Sequence, residues 1–374
     1  MNFSSIPGLK EIKSTLTEAV QSNHIAHAQL FAGKTGALNL PIALAYANYL
    51  HCQNKKESDA CGECPACSKS LKYIHPDTNF VFPLVNIKND KDEERFKSEI
   101  LKTWRSFLLE QPFGDLSDWI SFYGGEDKQA LISREESREI IKTLSLKPFE
   151  SPYKVMIIWQ PELMHPSAAN GILKILEEPP ANTFFILVTN SMERLLPTII
   201  SRTQMVQVPL LSDEEVESHL ISRGQTDEVR RNEIVRLAEG DLNAALKLID
   251  SEEDHYQDKF ADWMRTCHKK DFARMVGMAE EFHELDKLGQ RHFFHYGLSM
   301  MRETLLFVSG ANAISRAKGN EAGFLQNFSK VMNVDKIEKA NHLITDAGYH
   351  LERNGSAKMI FLDLSIQVSK LIKP

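Results

Sequence analysis

The chain has 374 residues, is 42% hydrophobic and 25% charged, and carries a net charge of −7; this predicts two or three domains of ordinary globular composition. No apolar run approaches the roughly 20 residues a bilayer crossing needs, and "MNFSSIPGLKEIKSTL" has no basic segment followed by an apolar one, so neither a signal peptide nor a membrane span is expected and the expected compartment is the cytoplasm. The acidic balance excludes an overall basic field for tight nucleic-acid binding, although a local basic face remains compatible with it.

In chain order, "HAQLFAG" (27–33) reads as a short buried strand that runs into a loop and then into "PIALAYANYLHC" (41–52), which has helical periodicity. Gly33-Lys34-Thr35 has the residue types of a nucleotide loop, G-x-x-x-x-G-K-[ST], in the wrong register. Counted from Gly33, the sixth to eighth positions are Leu38, Asn39 and Leu40. The second glycine, the phosphate lysine and the magnesium hydroxyl are missing. Gly33, Gly36 and Asn39 therefore mark a vestigial loop, in which the backbone amides of Gly33 and Gly36 are expected to persist at the helix N-terminus.

Four of the five cysteines follow as Cys52-x8-Cys61-x2-Cys64-x2-Cys67. In a reducing compartment such clustering argues for metal rather than disulfides. Four thiolates make a closed tetrahedral zinc site, structural because no coordination position stays open. Gly62 and Pro65 suit the tight turns between them. An iron–sulfur cluster and four unmetallated cysteines are the alternatives. Cys267 stands alone in a helical segment and reads as a buried small hydrophobe.

"NFVFPL" (79–84) reads as a second strand, and residues 86–130 read as an insertion. Within it, 92–109 sets Phe96, Ile100, Leu101, Trp104, Phe107 and Leu108 on one face of an amphipathic helix without a readable role. "ISREESREIIKTLSL" (132–146) is a helix with a Ser133–Glu136 capping box. "KVMIIW" (154–159) is a buried strand closed off by Pro161. A P-loop NTPase needs an acid at the end of such a strand to hold magnesium. Trp159 and Gln160 stand there instead, and Glu162 beyond them is expected in solvent. "HPSAANGILKILEE" (165–178) is a helix stopped by Pro179 and Pro180, and "TFFILVTN" (183–190) and "QMVQVP" (204–209) are strands. "LLPTIISRTQ" (195–204) carries Ser201 and Arg202. An arginine there is either an ordinary surface charge or a finger reaching a nucleotide on another subunit. Strands alternating with helices imply an α/β fold with a mainly parallel sheet covered on both faces. After Pro209 the pattern turns helical, with a small helical domain over 209–250 and an all-helical one over 255–374.

Together these segments resemble the delta-prime subunits of the bacterial DNA polymerase III clamp loader, a family of the AAA+ group. The resemblance is carried by "HAQLFAG", by the cysteine module followed by "HPD" (75–77), and by "AANGILKILEEPP" (168–180). It continues through "FFILVTN", "LLPTIISR" and "EGDLNAALKL" (239–248), and so covers most of residues 1–250. Residues 255–374 resemble the family's collar domain chiefly in being helical and in "RNGSAKMIFLDL" (353–364). The implied architecture is an AAA+ P-loop-type domain over 1–208, a helical lid over 209–250 and an all-α collar over 255–374. The first domain would hold the zinc module at about 52–75 and the insertion at about 86–130.

The implied function is that of a non-catalytic stator in a ring with gamma/tau-type and delta-type subunits. That ring loads the sliding clamp on primer-template DNA within the DNA polymerase III holoenzyme. In the family the gamma-type subunits bind and hydrolyse ATP and the delta-prime subunit does not, so structural zinc is the one cofactor implied. Asn243 stands where hydrolysing relatives have an arginine that touches the nucleotide. Arg202, after Ser201, is the implied finger acting in trans on the ATP of a neighbouring gamma-type subunit. The family's Ser-Arg-Cys reads Ser-Arg-Thr here, with Thr203 in the third place, which is not the charge carrier. Two other readings stand beside this one. An active AAA+ ATPase with an atypical site would have to use Lys34, which lies on the wrong side of the loop. A zinc-containing nucleic-acid-binding module would have to overcome the acidic net charge.

Overall fold

A computed structural model describes residues 1–85, 93–125, 130–145, 147–250, 256–285, 287–311, 314–315, 317, 320–353 and 355–372. The chain divides into two compact units, Met1–Lys247 and Leu248–Pro374.

The first unit begins with α1 (Lys10–Gln21), β1 (Ala28–Ala32), α2 (Asn39–His51) and α3 (Pro65–Ser70). Next come β2 (Thr78–Val81), β3 (Leu84–Val85), α4 (Glu93–Glu110), α5 (Leu116–Phe122) and β4 (Ala130–Leu131). The body is completed by α6 (Arg134–Ser145), β5 (Lys154–Trp159), α7 (Pro166–Glu177), β6 (Thr183–Thr189), α8 (Pro197–Ile200) and β7 (Gln204–Gln207). Five of the strands form one parallel sheet in the order β2-β5-β6-β1-β7.

Because both faces are covered, the inner strands read as continuous apolar runs rather than alternating ones; β1 and β5 are buried at every residue. The two-residue period still decides which layer each side chain meets. Leu30, Ile158 and Leu187 face Ile140 of α6 and Ile172 and Leu176 of α7. Phe31 points the other way, its ring 5.9 Å from Tyr46 of α2. That helix is buried along all 13 of its residues, which is why its apolar positions follow no one-sided stripe.

The strand expected over 79–84 is shorter than the apolar run suggests, ending at Val81. Pro83 has no N–H for a ladder, and Leu84–Val85 leaves the sheet to pair antiparallel with Ala130–Leu131. This ribbon is the base of the insertion. Residues 86–92 and 126–129 lie outside the described residues, as does position 146, the expected end of α6. The amphipathic helix expected from residue 92 is α4, although the Phe96 side chain also lies outside the description. Ser133 caps α6, its Oγ accepting the Glu136 N–H at 3.4 Å.

Three helices close the first unit: α9 (Asp213–Ser222), α10 (Glu228–Ala238) and α11 (Leu242–Asp250), the last running past its boundary. A capping box starts α9. Ser212 Oγ accepts the Glu215 N–H at 3.2 Å, and Glu215 Oε2 accepts the Ser212 N–H at 3.0 Å. The other oxygen of Glu215 accepts the Leu9 N–H at 3.1 Å, which ties α9 to the start of α1.

Among the described residues the second unit is helical: α12 (Tyr256–Lys269), α13 (Phe272–Glu284), α14 (Lys287–Val308), α15 (Asn320–Phe328), α16 (Val334–Glu352) and α17 (Ala357–Ile372). Trp263, Phe282, Phe293 and Phe361 pack together at its centre, with Phe282 stacked on Phe361 at 4.5 Å. The indole N–H of Trp263 is satisfied by Ser365 Oγ at 2.8 Å. Cys267 is buried there, as expected, and burial pushes its thiol up to about 12. No described helix is long and apolar enough to cross a membrane.

Candidate functional site

The four clustered cysteines converge. Cys52 ends α2, while Cys64 caps α3 with Pro65 at the first helical position and Cys67 in the first turn. The four sulfurs lie within 4.8 Å of one another. Cys61 and Cys67 Sγ are 3.9 Å apart, close to the edge of about 3.8 Å that follows from sulfurs about 2.3 Å from a tetrahedral ion. The N–H groups of Cys61, Cys64 and Cys67 point at the sulfurs of Cys52, Cys61 and Cys64 at 3.3, 3.3 and 3.4 Å. Donors aimed at sulfur favour thiolate. The Glu63 and Cys64 N–H groups bring the Cys61 thiol down to about 6. Burial pushes Cys52 and Cys67 upward, so those two need a cation to ionise. Among the described residues this donor set could hold a metal ion.

The module is tied to the body on two sides. Asp59 accepts the Phe3 and Ser4 N–H groups at 3.0 and 2.8 Å. On the other side, His51 and His75 stack with ring centroids 4.0 Å apart. His51 Nδ1 meets Ser151 Oγ at 2.8 Å, and burial drives the His51 ring down to about 3 and lowers His75 as well, so both stay neutral. Asp77 of "HPD" accepts N–H groups from Phe149, Glu150 and Ser151 at 2.6, 2.8 and 2.8 Å. Burial raises its carboxyl, but these three donors outweigh burial and hold it below its ordinary 3.8.

A depressed folded value means that the stabilisation is complete above the unfolded value and is lost as pH falls through the folded one. Asp77→Ala is expected to cost about 2 kcal/mol at neutral pH, since each donor left without an acceptor costs about 1–3 kcal/mol when buried and less when half-exposed. Urea unfolding at pH 7 and at pH 3 should show the difference between wild type and variant shrinking at the lower pH. A variant as stable as wild type at pH 7 would refute this role.

At the vestigial loop the strand–loop–helix frame is intact, and several of the loop's polar groups are bonded to the protein itself, while Asn39 Oδ1 is buried without a partner. Asn39, in the phosphate lysine's place, is buried and donates through Nδ2 to Thr189 O at 2.7 Å. The Gly33 amide, expected to face a ligand, also donates to Thr189 O, at 3.3 Å. An added Cβ at Gly33 would lie 2.4 Å from both Asn39 Oδ1 and Val208 O, so only glycine fits this packing. Asn190 Nδ2 donates to Lys34 O at 2.9 Å, and Gln160 Nε2 donates to Asn190 Oδ1 at 2.6 Å. The Lys34 side chain is exposed.

Glu162, expected in solvent, is half-buried instead. A short turn at Pro161–Leu163 folds it back under the end of β6, where Oε1 accepts the Asn190 N–H at 3.1 Å. Burial pushes its carboxyl upward. Trp159 is 3% exposed, its ring 5.1 Å from that of Trp104.

Asp241 was not singled out from the sequence. Its carboxylate caps α11 through the Ala244 N–H at 3.0 Å and would lie 2.6 Å from a Cβ at Gly36, whose φ is +88°. An acidic group therefore lies against the vestigial loop.

Arg202 lies just before β7 and folds back on the end of α7. Its Nε donates to Glu177 Oε1 at 2.7 Å, with Nη2 on the same oxygen, and Nη1 donates to Thr198 O at 2.9 Å. Ser201 Oγ accepts a longer bond from Nη1 at 3.4 Å. Thr203 Oγ1 closes the turn on Ile199 O and Ile200 O at 3.2 and 3.1 Å.

A family model described as "DNA polymerase III, delta subunit" matches residues 8–212, more than half of the chain. The chain belongs to this DNA polymerase III delta-subunit family. It is 27% identical over 253 residues to the DNA polymerase III subunit gamma of Buchnera aphidicola subsp. Acyrthosiphon pisum, covering 66% of this chain and 58% of that one. It is 26% identical over 220 residues to the DNA polymerase III subunit delta' of Bacillus subtilis, covering 59% and 53%. Over the first four curated relatives the match spans 58%, 35%, 37% and 53% of their length. Subunits named gamma, tau and delta' match at similar identity, so the matches single out no one of these DNA polymerase III subunits. Among solved structures, a gamma subunit-related protein of Thermotoga maritima aligns over 96% of this chain and 99% of its own, at 13% identity and a TM-score of 0.42.

Within this member of the DNA polymerase III delta-subunit family, the fold brings together the four cysteines, and separately Gly33, Gly36 and Asn39 with Asp241. Asn243 does not reach the loop; its Nδ2 donates to Asp118 Oδ2 of α5 at 2.6 Å. The signal for Asp118 was the spacing Asp115–Asp118, a capping box that starts α5.

Proposed function

We propose that this chain is the delta-prime-type, non-hydrolysing subunit of a cytoplasmic clamp-loader ring. It assembles with gamma/tau-type and delta-type subunits, which load a sliding clamp on primer-template DNA for DNA polymerase III. It binds no ATP and acts as a stator. Residues 1–208 are the ring's α/β body on this chain, 209–250 its lid and 255–374 its collar. Arg202, presented after Ser201, serves the ATP site of the adjacent gamma-type subunit. Cys52, Cys61, Cys64 and Cys67 would hold a zinc ion that orders the segment between α2 and β2.

One observation carries the reading. The strand–loop–helix that would cradle a phosphate is preserved, yet the Gly33 amide and Asn39 Nδ2 are bonded to Thr189 and the Lys34 carbonyl to Asn190, and the Asp241 carboxylate lies against Gly36. Such a frame is kept for packing and assembly, not for nucleotide chemistry. The experiment is reconstitution. The chain mixed with gamma- and delta-type subunits is expected to co-purify with them in one complex, and omitting it should abolish clamp loading. A complex that forms and loads clamps equally well without it contradicts the proposal.

A further inference from the structure

The insertion between β3 and β4 is not used by the function proposed above, and it makes two specific contacts. At one end, α4 and α5 lie over the C-terminal end of β5. Trp104 and Phe107 face Trp159 at 5.1 and 6.4 Å between ring centroids. Phe82 stacks on Trp104 at 4.3 Å and Trp119 meets it edge-on at 5.0 Å. Trp104, Phe107 and Trp119 are at most 1% exposed. The Trp119 indole N–H donates to Pro83 O at 2.9 Å, which fixes α5 to the root of the insertion.

At the other end the insertion holds the lid. Asp118 accepts Asn243 Nδ2 at 2.6 Å and Lys247 Nζ at 2.5 Å. Those two residues lie one turn apart on the same face of α11. Asp118 is itself immobilised, because its Oδ2 accepts the Asp115 N–H at 3.0 Å while its own N–H donates to Asp115. Phe113, from the turn between α4 and α5, meets His219 of α9 edge-on at 5.9 Å. Two of the positions whose nucleotide chemistry is lost, Trp159 and Asn243, are thus the two on which the insertion docks. Lids close around a bound ligand and reopen without it.

We infer that residues 93–125 are a built-in strut between the end of β5 and this chain's own lid: packed on Trp159 and bonded through Asp118 to Asn243 and Lys247, they hold the lid on the body permanently. This rests on the reading that the chain binds no nucleotide. The lid angle then cannot follow an ATP cycle, which is the property a stator requires.

Amide hydrogen exchange on the full chain tests it, with wild type compared against Asp118→Ala, Lys247→Ala and the double variant. Lys247→Ala leaves the α5 cap intact and so separates lid release from loss of α5. In each single variant the lid amides of 213–247 should exchange roughly tenfold faster, with β1, β5 and β6 unchanged. The double variant should be no faster than the faster single one, because both remove the same contact. Wild-type lid rates in Lys247→Ala, or effects that simply add, would overturn the inference. Mg-ATP added to wild type should alter no rate. Protection of residues 33–40 by Mg-ATP would instead contradict the absence of nucleotide binding, so the two failures are distinguishable.

Discussion

Arg202→Ala is expected to leave the chain folded and able to assemble, while removing most of the ATP hydrolysis at the one ring site that faces it. The arginine's partner is Glu177, and both side chains are substantially exposed, at 31% and 47%. An ion pair of that kind contributes about 0–1 kcal/mol, so its loss does not threaten the fold. The same exposure lets the pair exchange for a stronger one. A guanidinium is a fixed charge with a planar fork of donors that matches phosphate oxygens. Where measured, such fingers contribute about 10³–10⁵ in rate. In a ring with several ATP sites only the facing site should suffer, so steady-state hydrolysis should fall in part. Clamp loading should fall further if it needs every site. Arg202→Lys should fail too, because a point charge does not reproduce the fork. The assay is DNA-stimulated ATP hydrolysis and clamp loading by the reconstituted complex. Both activities unchanged in a normally assembled complex would make Arg202 a surface residue of the Glu177 pair and nothing more.

Cys61→Ser should release the metal and loosen residues 52–75 while the sheet stays folded. Metal-replete wild type is expected to contain close to one zinc per chain by elemental analysis, and the variant far less. Cys61 is the informative sulfur because backbone donors already bring its thiol down to about 6. Serine keeps the size but not a thiolate. Structural zinc contributes about 10–16 kcal/mol of apparent binding energy in small zinc domains. Here the loss is confined to a segment whose other anchors, Asp59 to Phe3 and Ser4 and Tyr49 to Lys56, remain. Limited proteolysis should therefore cut first between 52 and 75, with the circular dichroism of the α/β body preserved. Iron with visible-region absorption, or no metal in replete protein, would refute the zinc assignment.

The parallel sheet was legible because a strand covered on both faces reads as an unbroken apolar run, and "KVMIIW" and "FFILVT" are such runs. The loop was legible as a loop because register can be counted, and the cysteine module because its spacing is short. What the chain hid was long-range. Glu162 read as a solvated acid, since nothing near it in sequence announces that the end of β6 lies above it. The apolar face of α4 was visible as a face, but Trp159, its partner, is 55 positions from Trp104. Asp118 and Lys247 meet across 129 positions, and Asp241 and Gly36 across 205. Contacts at such separations leave no periodic trace. The second strand was overextended for a local reason, since an apolar run that continues past Val81 still cannot ladder through Pro83.

We propose that this chain keeps a nucleotide-binding frame without binding nucleotide. On the proposed reading Asn39 stands for the phosphate lysine, Trp159 for the magnesium acid and Asn243 for the lid arginine, and each charge-assisted hydrogen bond forfeited removes roughly 1.5–3 kcal/mol. Calorimetric titration of the isolated chain with Mg-ATP measures this most directly. A flat titration is the result expected; saturable binding with a Kd in the low micromolar range would contradict the account.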